Sequence, residues 1–177
     1  DGTYKLNSNP LDIDLSDHSI NVISKHPSGE TWLGTDKGIL INSNGKTRWF
    51  EGDGQPFNEN VKALLFDEDS SVWIGSTQGV TRYAFKNSGY FFDQYHSNPN
   101  INESEISGLL TDDKGRLWVG YLRSAPVVFN GKYFELPSLP DGLKNVSCLA
   151  TDSKGSIWLA TRTNGLYRYT ASSDSII

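Results

Sequence analysis

What this 177-residue chain lacks sets its first limits. It contains no methionine and begins at Asp1, which fits an internal fragment or a processed protein better than a complete cytoplasmic one. It has a single cysteine, Cys148, so no internal disulfide framework holds it together. That cysteine sits in the alternating run Val146-Ser147-Cys148-Leu149 and reads as a small buried hydrophobe. No apolar run approaches the roughly 18 residues a spanning helix needs, and the N-terminus has no basic-then-apolar signal pattern. This segment is expected to make no membrane contact. The net charge of −5, with lysines and arginines scattered, argues against nucleic-acid binding, which needs a basic footprint. His18, His26 and His96 fall in three different loops without metal-ligand spacing and read as surface histidines. No Gly-rich phosphate loop and no nucleophile-elbow serine is present. The expectation is therefore no metal, no cofactor and no catalytic residue.

What the chain does have is glycine, at 17 positions, and four tryptophans in one repeated setting. The clearest example is Thr111-Asp112-Asp113-Lys114-Gly115-Arg116-Leu117-Trp118-Val119-Gly120. It reads as a strand end, a tight turn closed by Gly, and an apolar strand centred on Trp. The same arrangement recurs around Trp32, Trp73 and Trp158, at spacings of 41, 45 and 40 residues. A period in that range with strand-like content marks propeller blades.

Alignment on the tryptophans exposes the grammar of one blade. An apolar anchor stands twelve residues before each Trp, at Ile20, Val61, Ile106 and Val146, and another stands nine before, at Ile23, Leu64, Leu109 and Leu149. Six before stands a turn-former, His26, Asp67, Asp112 or Asp152. The Trp strand is apolar on both faces, as expected of a sheet packed between neighbouring sheets. A third strand follows a short polar loop, and Asn44-Gly45, Asn87-Ser88-Gly89 and Asn130-Gly131 then signal hairpins into a fourth.

The expected fold is all-β: a β-propeller with four blades of four antiparallel strands, at about 19–51, 60–95, 105–136 and 145–170, within a single domain over 1–177. Asp1–Leu6 resembles a fourth strand with no blade before it, and Ala171–Ile177 is short for one. The ends suit either a closed four-blade ring completed by the N-terminal strand or a piece of a larger ring.

Acidic residues gather in the first turn of three blades: Asp67, Glu68 and Asp69, then Asp112 and Asp113, then Asp152. Recurrence at one blade position reads as turn capping, whereas a catalytic carboxylate pair would be confined to one or two blades. The structural residues are expected to be Trp32, Trp73, Trp118 and Trp158, each buried between adjacent blades.

The repeats resemble the two-component regulator propeller, whose motif runs roughly V-x-x-I-x-x-D-x-x-G-x-L-W-I-G-T-x-x-G-L. Val146–Tyr167 follows it nearly throughout, and Ile106–Gly120 and Val61–Val80 follow it well. Blade one departs by placing His26 where the motif has Asp. The resemblance implies a periplasmic sensor region of a membrane-bound histidine kinase or diguanylate cyclase, commonly built from seven-bladed rings. It also implies a glycan as ligand, and other blades or domains of a parent chain as partners. The reading of function is a non-enzymatic recognition module. Its alternatives are a protein–protein scaffold, which could form a homo-oligomer, and a propeller glycosidase or lyase.

Where the repeat breaks points to a ligand site. Propellers bind on the face formed by the connections into the innermost strands and the loops after the Trp strands. There Tyr121, Arg123 and Arg162 are large and non-repeating, and blade three replaces its Gly turn with Tyr121-Leu122-Arg123-Ser124-Ala125-Pro126. Two guanidinium groups and an aromatic suit an oligosaccharide or another small ligand bearing a carboxylate.

Overall fold

The computed structural model describes residues 13–96, 105–170 and 175–176; the expected N-terminal strand, Asp1–Leu6, lies outside them. Every regular element among the described residues is a β-strand. Blade one comprises β1 (Ile20–Lys25), β2 (Thr31–Thr35), β3 (Gly38–Ser43) and β4 (Lys46–Trp49). A minute hairpin of β5 (Glu51–Gly52) and β6 (Gln55–Pro56) leads to blade two: β7 (Val61–Phe66), β8 (Val72–Ser76), β9 (Gly79–Lys86) and β10 (Gly89–His96). Blade three has β11 (Ile106–Thr111), β12 (Leu117–Tyr121), β13 (Val127–Phe129) and β14 (Phe134–Glu135). Blade four has β15 (Val146–Thr151), β16 (Ile157–Thr161), β17 (Leu166–Thr170) and β18 (Ser175–Ile176). Each blade is a four-stranded antiparallel sheet in strict chain order. The short β18 pairs with β17 and supplies the fourth strand of blade four.

The innermost strands β1, β7, β11 and β15 stand side by side in that order. Each is bulged at its second residue, since the pairing slips between Ile20 and Val22, Val61 and Ala63, Ile106 and Gly108, and Val146 and Cys148. The bulged residues are Asn21, Lys62, Ser107 and Ser147, all polar. A bulge sharpens the local twist and re-aims one side chain, so a strand otherwise committed to packing can turn one polar group aside.

Blades join through two unlike faces. The trailing face, toward the next blade, carries the Trp; the leading face carries the residues on either side of it. Trp32, Ile39 and Ile41 of blade one thus pack on Val61, Leu64, Val72 and Ile74 of blade two. Trp73 and Val80 pack on Ile106, Leu117, Val119 and Phe129, and Trp118 and Val128 pack on Val146, Ile157, Leu159 and Tyr169. Trp32, Trp73 and Trp118 are buried in these seams, whereas Trp158, on the trailing face of blade four, is half-buried. Cys148 lies on that same face and is exposed, against the expectation of a buried hydrophobe. Its strand has no neighbour on that side among the described residues.

Glycine two residues after Trp sets the spacing of the seams. A Cβ on Gly34 would come within 2.6 Å of Val61, and one on Gly75 within 2.9 Å of Ile106. Blade four has Ala160 at this position.

In blades three and four the turn before the Trp strand is built by its first residue. Asp112 Oδ1 accepts the backbone N–H groups of Lys114 (3.0 Å) and Arg116 (2.8 Å), while Oδ2 accepts Arg116 Nε (2.8 Å) and the Trp118 indole N–H (3.0 Å). Asp152 repeats this with Lys154, Ser156 and the Trp158 indole. The indole, then the backbone N–H groups, hold the Asp152 carboxyl below the ordinary value. In blade two Arg82 takes Asp67 in two hydrogen bonds, and Asp69 accepts the Ser71 N–H. Asp69, Asp112 and Asp152 thus cap their turns, as recurrence implied, whereas the Asp67 carboxylate is held by Arg82 of β9.

In blade one the same place is held by His26, which is buried rather than on the surface. Its Nδ1 accepts the Ser28 N–H (3.1 Å), and its Nε2 meets the Tyr90 hydroxyl of blade two (2.8 Å), which donates to Ser70 O (3.0 Å). The ring stacks on Trp32, so it cannot also offer that indole an acceptor. Among the described residues the buried Trp32 N–H finds no partner.

Candidate functional site

The rim where the Trp strands end is assembled by one repeated hydrogen bond. The backbone N–H groups of Asp36, Thr77, Leu122 and Arg162 donate to the carbonyls of Ser19, Asn60, Glu105 and Asn145, at 3.1, 3.2, 2.9 and 3.0 Å. Each donor lies four residues after a Trp and each acceptor just before an innermost strand. Every blade thereby clips the loop after its Trp strand to the start of its own first strand.

Three blades also brace that loop with a hydroxyl. Thr35 Oγ1 donates to Gly38 O and accepts from Lys37 N. Thr161 makes the same pair of bonds to Gly165 and Asn164, whereas Ser76 accepts from Gln78 N and gives its hydroxyl proton to Glu59, with Gly79 O 3.4 Å away. Blade three has Tyr121 at this position, and its ring turns inward. Tyr121 is only 5% exposed, in the core between blades two and three, and burial pushes its hydroxyl up to about 12. Tyr121 is therefore a wall residue of the seam rather than a stacking surface at the rim, because an aromatic at a position flanked by two sheets gains more from burial than from solvent. The hydroxyl pattern Thr35, Ser76, Thr161 was the signal in the sequence that position 121 belongs to a strand.

Arg123 and Arg162 are exposed, and their loops are joined. Asn145 donates its backbone N–H to Ser124 O (3.2 Å) while its carbonyl accepts from Arg162 N. Its side-chain amide reaches Thr163 Oγ1 (3.4 Å). Asn145 holds φ of 59°, a left-handed conformation that Asn tolerates better than most residues. Pattern reading missed Asn145, Thr163 and Asn164. Asn145 was detectable as a turn-forming residue directly before a β-branched strand start.

On the rim, blades three and four present Arg123, Lys144 and Arg162, all exposed, beside the exposed Glu105 and Asp141. On blades one and two Asp36 Oδ1 accepts the Ser19 N–H (3.0 Å) and lies 3.7 Å from His18, and Glu59 takes the Ser76 hydroxyl. Among the described residues no group of three metal-ligating side chains converges.

Stacked four-stranded antiparallel sheets with a loop rim at one end of their innermost strands define a β-propeller. Residues 142–163 match the family described as Two component regulator propeller, so blade four carries a repeat of that family, as its motif indicated. Histidine kinase P4 of Formosa agariphila is 28% identical over 141 residues, covering 68% of this chain and 10% of that protein. The extracellular domain of a hybrid two-component system from B. thetaiotaomicron superposes with a TM-score of 0.70 at 23% identity, covering 92% of this chain and 22% of that one. Virginiamycin B lyase from Staphylococcus aureus, bound to quinupristin, superposes with a TM-score of 0.73 at 20% identity, over 94% of this chain and 57% of the lyase. At such identities the superpositions establish the fold alone. The chain spans a tenth of the curated relative and under a quarter of the hybrid-system domain.

Proposed function

We propose that this chain is part of the periplasmic sensor region of a membrane-bound two-component signalling protein, and that it recognises a ligand without transforming it. The observation that carries the reading is the family match at residues 142–163. It lies in the blade that supplies Asn145 and Arg162 to the rim. The turn carboxylates are committed to backbone and indole N–H groups, which supports a scaffold rather than a hydrolytic pair. The site is the cationic sector at blades three and four, with Arg123 and Arg162 recognising a carboxylate or sulfate on an oligosaccharide. Tyr121 supports that loop from within the seam.

Calorimetric titration with acidic and neutral oligosaccharides tests this. Binding of an acidic oligosaccharide should weaken about tenfold or more in Arg123→Ala and in Arg162→Ala, the loss expected of one charge-assisted hydrogen bond. Undiminished binding in both variants would reject the site. Consumption of the sugar by the unaltered chain would reject the non-enzymatic reading.

A further inference from the structure

Blade four breaks the repeat at the rim by a single residue. In blades one and two a glycine stands six residues after the Trp, at Gly38 and Gly79, and in blade four seven after, at Gly165. The turns are otherwise equivalent. Thr35, Ser76 and Thr161 each accept the backbone N–H of the residue just before that glycine, from Lys37, Gln78 and Asn164. The loop clip falls on Asp36, Thr77 and Arg162 alike. Thr163 is therefore the added residue.

That residue joins a chain of hydrogen bonds with a fixed direction. The Asn145 side-chain amide donates to Thr163 Oγ1 (3.4 Å), and the Thr163 hydroxyl donates to Asn164 Oδ1 (2.6 Å). A hydroxyl has one proton, so Thr163 gives it to Asn164 and only accepts from Asn145. Asn164 thus receives at its oxygen and turns both Nδ2 protons away from Thr163. Asn164 is exposed, and among the described residues no acceptor takes those protons. A Cβ added to Gly142 would lie 3.4 Å from Asn164 Nδ2, so the glycine leaves the amide uncrowded. The equivalent side chain in blade one, Lys37, is instead turned back to Asp17 O (3.3 Å).

We infer that Asn164 contacts the ligand of the rim site proposed above, a reading on which this one rests, and donates to it from Nδ2. Thr163 and Asn145 are the positioning residues that aim the amide. Asn164 lies in the same turn as Arg162, and Asn145 also fastens the blade-three loop through Ser124 O. A donor set in advance favours ligand oxygens that only accept, and its bond to a charged acceptor is the stronger one. Because the amide is already oriented, less is lost in ordering it on binding. The ligand group at this point is therefore a carboxylate or a sulfate.

Titration calorimetry with trigalacturonate, a sulfated galactan oligosaccharide and neutral cellotriose tests the assignment. The unaltered chain should bind one of the acidic sugars in preference to cellotriose. Asn164→Ala should weaken that binding about tenfold, the loss of one charge-assisted hydrogen bond. Asn164→Asp should weaken it further, because a like charge faces the ligand. Lys37→Ala should leave it unchanged. Thr163→Val should weaken it about threefold by releasing the amide, and Thr163→Ser, which keeps the hydroxyl, should restore it. Without ligand, nitrogen relaxation of the Asn164 side-chain amide should show it ordered in the unaltered chain and in Thr163→Ser, and mobile in Thr163→Val. All three positions are exposed, so thermal unfolding should be the same in every variant. Acidic-sugar binding undiminished in Asn164→Ala would overturn this inference and leave the rim site standing. An amide equally ordered in Thr163→Val would overturn the aiming role of Thr163. A chain that binds neither acidic sugar would reject the rim site and this inference with it.

Discussion

Asp112 and His26 hold the same place in their blades and satisfy it by different chemistry. Asp112 answers four N–H donors, one of them on the fully buried Trp118. Removing a buried acceptor leaves its donors without partners, so Asp112→Ala should destabilise the chain by about 2–4 kcal/mol in urea unfolding. A loss below about 0.5 kcal/mol, the ordinary effect of a surface change, would mean that the turn does not depend on its carboxylate. His26 behaves in the opposite sense toward protons. Burial lowers its pKa from the ordinary 6.5, Glu30 raises it, a bond to the Ser70 backbone raises it and Arg48 lowers it, with burial the largest influence. Tyr90 and the rings of Trp32 and Phe66 close the remaining sides. The native state thus favours neutral His26, whose Nδ1 lone pair holds the Ser28 N–H. Below pH 6.5 the unfolded chain binds the proton first. Stability should accordingly be full above that value and fall as pH drops from 6.5 toward the depressed native pKa. His26→Asp should flatten unfolding free energies measured between pH 7 and 5. The lowered carboxyls of Asp14, Asp69 and Asp152 act in a separate window: their contribution is present above about pH 4 and lost below it. An equal slope in both proteins between pH 7 and 5 would show that His26 is not its source.

At the scale of the element, a blade is a strand order fixed by turns and a pair of faces fixed by the alternation around Trp. Both were legible. The Trp register, the hairpin signals and the apolar anchors located all four sheets, because each is a local pattern repeated four times. Four placements were not legible, for one shared reason. The inward ring of Tyr121, the burial of His26, the exposure of Cys148 and the half-burial of Trp158, which was expected between two blades, depend on whether another blade stands beside them, and one strand's alternation does not contain that information. Seam spacing rests on Gly34 and Gly75 in the same way. A methyl group on Gly34 would meet Val22 at 2.5 Å and Val61 at 2.6 Å. Overpacking of this kind costs about 1–3 kcal/mol, so Gly34→Ala should lower the urea midpoint by a corresponding amount. Gly54 holds φ of 69° with nothing within 4 Å of its added Cβ, so Gly54→Ala reports the cost of backbone conformation without crowding. Equal losses in the two variants would remove the close approach of blades as the explanation. Within the seam itself, Trp118→Ala should cost about 3–5 kcal/mol, and unchanged thermal unfolding would contradict the packing of Trp118 on Tyr169.

The whole molecule is a line of units, each bound to its neighbours, and its stability should follow that geometry. Contacts between innermost strands join β1 to β7, β7 to β11 and β11 to β15, so among the described residues blades two and three are gripped from both sides and blade four from one. In such an array stability is approximately a sum of each unit's own stability and its nearest-neighbour interfaces. A terminal unit can therefore open without its neighbour, and the exposed residues of β15 and the half-buried Trp158 reduce what that opening costs. Native-state hydrogen exchange separates the cases, because local openings release amides in cooperative blocks. The amides of β16 should exchange faster than those of β12. Each ~1.4 kcal/mol of missing interface corresponds to a factor of ten. A second seam, built like that of Trp118 on Ile157, Leu159 and Tyr169, would contribute several such factors. The Asn145 bridge between the Ser124 and Arg162 backbones crosses the seam between blades three and four. Its amide should therefore exchange with the blade-four block, and a ligand held by Arg123 and Arg162 should slow that block while leaving β2 unchanged. Protection of β16 equal to that of β12 would mean that the four blades unfold as one unit. The rim would then be rigid before any ligand arrives.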